Sequence, residues 1–388
     1  MIKNIDFITR KFSYLWLRFV ELAINAIVYF YSVFYHKKSK TEIKKIATYW
    51  YNPPDIIGSD LRMGYWKKYF EKDGFIYDNF YLNSFKEITK YIEEGSWTSR
   101  YLFFSKCILR RLPQILKAHK YDCIWIDRGI IPFYTRKNAF IEKRLKKVVV
   151  KLVVDTTDGS DYEANPELIE DTLKQADEIT VGYNYLKTFY SNRFKVTQIH
   201  WTIPGENYII KKDYNIFAIP IIGWMGSPAN FAHVIKILPQ LIELKKEKDF
   251  IFRYVCRKNF NKELEGLNCE HYFFGEDYFK IISSFDIGIS PFLDVNLTTK
   301  GKIAMKHQEF LLMGIPQVCS NVAISEFVVN EEHVLIAKNP EEWKEKLSLL
   351  IQDANLRRKL GYNGKILFDK YYKYDCQYEN LKRILSSF

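Results

Sequence analysis

The sequence lacks the cysteine and histidine patterns that build disulfide frameworks or zinc sites. Its 6 cysteines are scattered, with no C-x-x-C pair and no histidine at metal-ligand spacing. We therefore expect reduced, buried cysteines, no metal and no resident cofactor. A composition of 47% hydrophobic and 27% charged residues also excludes a disordered or low-complexity protein. The length of 388 residues suits two α/β domains and an appendage.

We expect neither a secretory signal nor an uninterrupted membrane span in the N-terminal segment. Residues 14–35 are strongly apolar and aromatic, but the run is longer than a signal-peptide core and has no small-residue cleavage site. Arg18 and Glu21 interrupt it, and the charge-free part that follows is shorter than the roughly 20 residues that a span needs. On a helix, the polar residues of this segment fall on one narrow stripe, which comprises Arg18, Glu21, Asn25, Ser32 and His36.

Positive charge is in excess, and much of it lies near the N-terminus. The formal net charge of +12 favours anionic partners: nucleic acid, phosphorylated small molecules or an acidic membrane. The alternative is a lysine-rich composition with no partner behind it. Residues 1–50 hold nine Lys/Arg and three acidic residues, which is half of the net charge. There is no zinc pattern, RNP-like strand or basic recognition helix, so we do not expect nucleic acid as a partner.

An apolar helix with aromatic ends and a basic flank is typical of a helix on an anionic bilayer surface. We therefore expect residues 14–45 to hold the protein at the inner, cytoplasmic face of the cell membrane as a peripheral protein. The alternative is a helix packed on the protein's own core or on another subunit.

From about residue 44 onward, strand-like and helix-like segments alternate, which indicates parallel sheets with helices on both faces. The chain loosens near Pro204 and Gly205, and a second series begins at Ile216. The strand-like runs are residues 46–50, 75–81, 122–126, 147–154 and 178–181, and then 216–224, 250–255, 271–274, 286–290, 317–319 and 334–336.

These segments predict an α/β protein with two Rossmann-like domains, an interdomain cleft and an N-terminal apolar helical extension. Such a cleft is a natural site for a nucleotide-bearing ligand. The predicted parts are the N-terminal helix (1–43), the first Rossmann-like domain (44–210), the second (211–372) and a C-terminal helix (373–388) that crosses back to the first domain.

Four segments of the second half carry the most informative pattern. They are IGWMGSP at 222–228, SFDIGISPF at 284–292, TKGKIAMKHQEF at 299–310 and MGIPQV at 313–318, followed by EEW at 341–343. In this order and spacing they resemble the C-terminal half of the family-4 glycosyltransferases, which are retaining sugar transferases of the GT-B fold. The resemblance is closest to the bacterial branch that builds surface polysaccharides such as lipopolysaccharide or capsule.

The two lysines of the third segment make chemical sense without the resemblance. Lys302 and Lys306 stand four positions apart at the predicted start of a helix, so their side chains share one face. With the free N–H groups and the positive dipole end of that helix, they would stabilise a departing diphosphate without a metal ion. Gly301 lets the backbone approach closely. We assign both lysines as catalytic; the alternative is two solvated surface charges.

Glu309 follows Lys306 by three residues on the same helical face. The resemblance implies that this carboxylate accepts hydrogen bonds from the ribose hydroxyls of the donor, and the alternative is an ion pair with Lys306. The broader family often has a second glutamate eight positions earlier, where this chain has Gly301, so the donor sugar is not implied.

The remaining donor-binding candidates follow predicted strands. The Gly226-Ser227 turn would cradle phosphate or donor sugar, and the resemblance places the nucleobase near Phe274. Arg257 is either a further phosphate contact or part of a basic loop.

Three loops of the first domain carry candidate acceptor-binding residues: Gly58 and Arg62, then Arg128, then Asp155 and Asp158. We assign Asp158 as catalytic, because a carboxylate there would orient or deprotonate an acceptor hydroxyl, and Arg128 would meet an acceptor phosphate. The alternative for Asp155 and Asp158 is a role as helix caps or turn residues.

The sequence thus predicts a retaining, metal-independent glycosyltransferase of the hexosyltransferase type. It would move a sugar from a nucleoside-diphosphate sugar, its co-substrate, to a lipid-linked or surface-polysaccharide acceptor. The alternatives are a catalytically inactive scaffold of the same fold at the membrane, or a sugar-nucleotide epimerase of that fold.

Overall fold

The computed structural model describes residues 2–36, 42–51, 53, 60–275, 277–301 and 305–387. The chain divides into two compact units, one formed by Met1–Ile199 with Tyr378–Phe388 and the other by His200–Gln377. Residues 200–210, which the sequence assigns to the first domain, belong to the second unit because Ile203, Tyr208 and Ile210 pack in one of its apolar clusters.

In the described part of the first unit, six strands form one parallel sheet with the order β2-β1-β3-β4-β5-β6. The central strands β3 and β4 are buried at every residue, as expected for a sheet covered on both faces. The strands are β1 (Lys45–Tyr49), β2 (Ile76–Phe80), β3 (Cys123–Asp127), β4 (Lys151–Thr156), β5 (Glu178–Val181) and β6 (Val196–Gln198). The strand order reverses between β1 and β3, and a crevice outside the carboxyl ends is expected at such a point.

The helices of the first unit are amphipathic or short. Ser84 and Glu87 form a capping box at one helix start, which matches the S-x-x-E pattern in the sequence. The α-helices described in this unit are Ile2–Phe34, Lys67–Lys72, Phe85–Ile88, Trp97–Ile115, Phe140–Val148, Gly159–Ala164, Pro166–Leu173 and Asn184–Ser191.

The N-terminal helix Ile2–Phe34 buries one face against the Trp97–Ile115 and Phe140–Val148 helices. Its buried residues recur at helical spacing and comprise Ser13, Leu17, Val20, Glu21, Ile24, Val28, Tyr31 and Ser32. Glu21 and Ser32, which belong to the predicted polar stripe, therefore face the protein. One face of the helix thus packs on the protein's own core. For that face, the alternative interpretation given in the sequence analysis is correct.

The opposite face of this helix exposes large apolar side chains: Phe7, Ile8, Phe12, Leu15, Trp16, Phe19, Leu22, Phe30 and Phe34. Within the described residues, Asp6–Phe34 is also the segment long and apolar enough to cross a membrane by length and composition. A contiguous exposed apolar face of this kind marks an interaction site.

In the second unit, the described strands form another six-stranded parallel sheet, with the order β12-β11-β10-β7-β8-β9. The strands are β7 (Ile221–Met225), β8 (Ile251–Val255), β9 (Cys269–Tyr272), β10 (Ile287–Ser290), β11 (Gln317–Ser320) and β12 (Leu335–Ala337). This is the strand order of dinucleotide-binding Rossmann folds, in which the ligand lies where the order reverses, here between β7 and β10.

Helices cover both faces of the second sheet. Those described are Phe231–Lys236, Leu238–Glu247, Tyr278–Ser283, Leu297–Lys300, Met305–Met313, Glu342–Gln352 and Ala354–Tyr371. A last helix, Tyr374–Ser386, returns the chain to the first unit, where the Tyr378 hydroxyl donates to Asp73 Oδ2 at 2.8 Å. The predicted α/β class, with two parallel sheets and an N-terminal apolar helix, is confirmed.

The Met305–Met313 helix packs closely on β10 because Gly288 has no side chain. A Cβ at Gly288 would lie 2.8 Å from the Phe310 ring, and Phe310 is fully buried. The glycine therefore determines how near this helix approaches the sheet.

We expect Gly288→Ala to lower the free energy of unfolding by about 1–3 kcal/mol, because the added methyl displaces Phe310 and its helix. Chemical denaturation followed by tryptophan fluorescence measures the change. Gly275→Ala is the matched control, since a Cβ there meets no atom within 4 Å. Equal stabilities of the two variants would contradict the close packing.

Candidate functional site

The Met305–Met313 helix carries the two predicted donor-site residues that the structure describes on it, Lys306 and Glu309. Their side chains share one face, and Lys306 Nζ lies 3.8 Å from Glu309 Oε2. Glu309 is 4% exposed, whereas the Lys306 side chain is 30% exposed. The carboxylate is therefore a fixed part of the interior, and the ammonium group reaches toward solvent.

Two tyrosines hold one oxygen of the Glu309 carboxylate. The Tyr208 hydroxyl donates to Oε1 at 2.8 Å, and the Tyr278 hydroxyl donates to the same oxygen at 3.1 Å. Burial, together with the Glu309 charge, raises the pKa of both phenols above the ordinary value of 10, so both remain donors at neutral pH. The phenols thus orient the carboxylate and leave its other oxygen for a different donor.

Several buried polar atoms in this region have no hydrogen-bond partner in the part of the chain that the structure describes. They are Glu309 Oε2, Gln308 Oε1 and His307 Nε2 on the Met305–Met313 helix, and Ser290 Oγ at the end of β10. All four residues are at least 96% buried. Buried polar atoms are nearly always paired in native proteins, so the free hydrogen-bonding capacity of Glu309 Oε2 fits a polar ligand.

His307 links the Met305–Met313 helix to β11 by hydrogen bonds. Its Nδ1 lies 2.9 Å from Gln317 Oε1, and Gln317 Nε2 donates to the His307 carbonyl at 3.1 Å. Burial lowers the pKa of His307 from 6.5 to about 4, although the hydrogen bond with Gln317 acts in the opposite direction. The imidazole is therefore neutral in the folded protein at neutral pH.

Other predicted donor-site residues precede the helix. Gly301 is buried, and its N–H donates to the Leu297 carbonyl at 2.7 Å, which ends the Leu297–Lys300 helix. Lys302 lies outside the described residues, so its pairing with Lys306 on one helical face stays a prediction.

The Gly226-Ser227 turn directly follows β7. The Gly226 N–H donates to the Val255 carbonyl at 3.1 Å, so this amide is used within the fold and is not available to a phosphate. A Cβ at Gly226 would lie 2.5 Å from the Trp224 ring, which explains the glycine by packing. Ser227 is exposed, and its carbonyl accepts from Asn230 in a short 3₁₀ turn.

Phe274 follows β9 and is half-buried, and Arg257 follows β8 and is exposed. The Phe274 ring centroid lies 5.4 Å from that of Tyr278, which in turn donates to Glu309. The structure therefore brings Phe274 and Glu309 together through Tyr278. Arg257 lies at the carboxyl edge of the sheet, directly after β8.

Sequence reasoning missed Tyr208 and Tyr278. Tyr208 is 101 positions from Glu309 in an irregular segment, and Tyr278 begins a short helix 31 positions away. In a chain with 28 tyrosines, no local signal distinguishes these two from the rest.

In the first unit, Arg62 and Asp155 form a buried ion pair. Arg62 Nε donates to Asp155 Oδ2 at 3.0 Å, and Nη2 donates to Oδ1 at 2.6 Å. Arg62 Nη1 donates to the Ile199 carbonyl, and the Thr180 hydroxyl donates to the carboxylate. Arg62 is 4% exposed and Asp155 is fully buried, so the pair joins the segment after β1 to β4 and β5. Their predicted role in acceptor binding stays a prediction.

Arg128 and Asp158 lie at the carboxyl ends of β3 and β4. Arg128 has a left-handed backbone (φ 62°), and its Nη1 lies 2.9 Å from Asp161 Oδ2. Asp158 Oδ1 accepts from the Ser160 N–H at 3.0 Å and caps the Gly159–Ala164 helix, as its alternative interpretation expects. Gly58 lies outside the described residues.

A cavity of about 510 Å³ lies beside Arg128, within the first unit. It is lined mainly by apolar side chains, and its polar edge contains Arg128, Asp161, Ser160 and Tyr51. Apart from Tyr51, which follows β1, the lining comes from the segments after β3 and β4, so the cavity lies at the carboxyl ends of these parallel strands. Of the predicted acceptor residues, Arg128 lines this cavity, whereas Arg62 and Asp155 do not.

Among the residues that the structure describes, no three His, Cys, Asp or Glu side chains come together in a way that could hold a metal ion.

Comparison with known proteins defines the class of fold. Residues 240–383, which include Lys306 and Glu309, match the model of a family described as "Glycosyl transferase-like". Solved glycosyltransferases of the GT-B type align with nearly the whole chain, so the predicted GT-B fold is confirmed. No curated protein sequence matches the chain.

The individual similar structures are distant in sequence. A glycosyltransferase from Rickettsia africae aligns with a TM-score of 0.63 and 14% identity, over 89% of this chain and 98% of its own. HepE from Anabaena, solved with UDP-glucose, aligns with a TM-score of 0.60 and 12% identity, over 88% of this chain and 99% of its own. Sucrose-phosphate synthase from Thermosynechococcus elongatus aligns with a TM-score of 0.57 and 11% identity, over 88% of this chain and 98% of its own.

We expect Asp155→Asn to lower the free energy of unfolding by about 3–5 kcal/mol, because it leaves the Arg62 guanidinium buried without a countercharge. The control is Glu167→Gln, which breaks the exposed ion pair with Lys137 and should change stability by less than about 1 kcal/mol. Urea denaturation of both variants measures the two changes. A similarly small change in each would mean that the buried Arg62–Asp155 pair contributes little to stability.

The depressed pKa of His307 makes stability depend on pH. The unfolded chain takes up a proton on this imidazole as the pH falls through about 6.5, whereas the folded protein does so only near pH 4. The free energy of unfolding should therefore fall over this interval. His307→Asn should show a shallower fall between about pH 6.5 and pH 4. Parallel slopes for wild type and variant, from denaturant titrations at each pH, would exclude the buried neutral state.

Proposed function

We propose that this protein is a retaining glycosyltransferase of the family-4 type that uses a nucleoside-diphosphate sugar as donor. The observation that carries the proposal is the Glu309 carboxylate: two tyrosines hold one oxygen, and the other is buried, forms an ion pair with Lys306 at 3.8 Å and has no hydrogen-bond partner among the described residues. The match of residues 240–383 to a glycosyltransferase-like family and the UDP-glucose bound to the similar HepE support this assignment.

Glu309 would accept a hydrogen bond from a ribose hydroxyl through Oε2. Because its position is determined by Tyr208 and Tyr278, the carboxylate is preorganised and loses little conformational freedom on binding. Lys306 would bind the diphosphate, whose negative charge grows as the bond between the anomeric carbon and the phosphate oxygen breaks. Lys302 is proposed to act with Lys306, without a metal ion or resident cofactor.

The acceptor is proposed to bind in the cavity of the first unit. Its apolar lining suits the non-polar part of a lipid-linked saccharide, and Arg128 at the polar edge suits a phosphate. Asp158 does not line this cavity, and its Oδ1 caps the Gly159–Ala164 helix, so its role in orienting the acceptor hydroxyl stays a prediction. A lipid-linked acceptor is consistent with a role in surface-polysaccharide synthesis.

The protein is proposed to bind the inner face of the cell membrane peripherally through its N-terminal helix. The packed face of this helix holds the polar residues Glu21 and Ser32, and the outward face is apolar and aromatic. That arrangement is the reverse of a helix that faces water, and it favours contact with a bilayer surface.

We expect Lys306→Ala and Glu309→Gln each to reduce sugar transfer about 100-fold or more, because each removes a charge aligned with the donor. Binding of the cognate nucleoside diphosphate, measured by calorimetry, should weaken about tenfold in each variant. The control is Lys359→Ala, which removes an exposed lysine from the Ala354–Tyr371 helix and should leave both quantities unchanged.

A thermal-shift series of nucleoside diphosphates and sugar nucleotides identifies the donor before these assays. Full transfer activity in both site variants would contradict the site assignment. Absence of binding to every nucleotide would favour the inactive scaffold, and conversion of the sugar nucleotide without an acceptor would favour the epimerase.

A further inference from the structure

A second, smaller cavity lies in the first unit between the N-terminal helix and the start of the Phe140–Val148 helix. Its volume is about 290 Å³, and four cations line it: Arg18, Arg136, Lys143 and Arg144. Two carboxylates, those of Glu21 and Asp171, share the lining. The cavity therefore carries a net positive charge, in contrast to the mainly apolar cavity beside Arg128.

The two carboxylates are already engaged by the protein. Glu21 pairs with Arg18, lies 3.2 Å from Arg136 Nε and accepts from the Tyr134 hydroxyl. Asp171 accepts the Ala139 N–H at 2.7 Å. Because Glu21 is 4% exposed, its charge is shared between two arginines inside the fold and is little exposed to a ligand.

The other two cations are not neutralised. Among the ion pairs of the described ranges, none involves Lys143 or Arg144, and Arg144 Cζ lies 4.7 Å from the centre of the Tyr29 ring. Lys143 is exposed and Arg144 is half-buried. A cavity with two unpaired cations, backed by two arginines, suits a phosphate group.

The position of the cavity indicates which phosphate it binds. Leu22, 64% exposed, lines the cavity and continues into the apolar face that contains Phe19 and Trp16. Tyr29, over which Arg144 stacks, lies on the same helix and is 45% exposed. A soluble phosphate would use the cations alone, whereas a phospholipid places its headgroup at the cations and its acyl chains along the apolar face.

We propose that Arg18, Arg136, Lys143 and Arg144 form a binding site for the headgroup of an anionic phospholipid, built into the first unit beside the N-terminal helix. The proposal rests on the proposed membrane contact of that helix, but not on the glycosyltransferase chemistry. The site selects the lipid and orients the first unit on the bilayer, because the headgroup is held at one defined place.

The test compares vesicle binding by the full chain and by Lys143→Gln/Arg144→Gln. Vesicles of phosphatidylcholine with roughly a third phosphatidylglycerol should bind the double variant about 30-fold more weakly than wild type, since each basic residue near the surface contributes about 1 kcal/mol. The matched control, Lys174→Gln/Lys187→Gln, removes two exposed lysines of the same unit that do not line the cavity and should lose much less affinity.

Equal losses in the two double variants would overturn the proposal, because the attraction would then be unspecific. Failure of wild type to prefer the anionic vesicles over pure phosphatidylcholine would overturn it as well. Binding of inorganic phosphate to wild type as tight as vesicle binding, lost in Lys143→Gln/Arg144→Gln, would assign the cavity to a soluble anion instead.

Calorimetry with the nucleoside diphosphate separates this result from the proposed enzyme activity. Unchanged nucleotide binding by Lys143→Gln/Arg144→Gln shows that the fold and the donor site are intact while the lipid site is lost. A double variant that loses vesicle and nucleotide binding together would instead indicate a damaged fold. In that case Lys143→Gln and Arg144→Gln are tested singly, and the proposal stands if a single variant loses vesicle binding but keeps nucleotide binding, and falls if neither does.

Discussion

The arrangement of the candidate donor site depends on the close approach of the Met305–Met313 helix to the second sheet. Phe310 contacts the strand β10 where Gly288 has no side chain, and His307 is bonded to Gln317 on β11. With the helix held at two places, Glu309 accepts from Tyr208 and Tyr278 through Oε1, while the buried Oε2 has no hydrogen-bond partner in the described part of the chain and lies 3.8 Å from Lys306 Nζ. Rigid placement of a carboxylate matters because a preorganised group stabilises a ligand without reorganising first.

Both units place their candidate ligand groups by the same property of parallel sheets. Where the strand order reverses, the loops at the carboxyl ends of neighbouring strands diverge and leave a crevice. In the second unit this point lies between β7 and β10, and in the first between β1 and β3. The chemistry differs: a carboxylate and a lysine at one, and an apolar cavity with Arg128 at its edge at the other.

The N-terminal helix shows how the same residues have different roles once packing is known. Arg18 and Glu21 interrupt the apolar run in the sequence, and in the fold they pair with each other. Glu21 is satisfied by Arg18, Arg136 and Tyr134, so this carboxylate of the polar stripe is buried rather than exposed to water. Large apolar residues on the opposite face of the helix are exposed, which is why the helix is a candidate for contact with lipid.

The sequence alone predicted the class of fold, most strands and the two residues at the centre of the proposed donor site, because each prediction rests on local spacing. Alternating apolar runs predicted eleven of the twelve described strands, and β6 was missed since its three residues are only half-buried. Lys306 and Glu309 could be predicted to share one face because they stand three positions apart on a helix, and the structure shows that they do. Only the tertiary structure decided that Tyr208 and Tyr278 orient Glu309, and that Arg62 pairs with Asp155 from 93 positions away. Such contacts join distant segments, and no periodicity within one segment encodes which side chains meet across the interior.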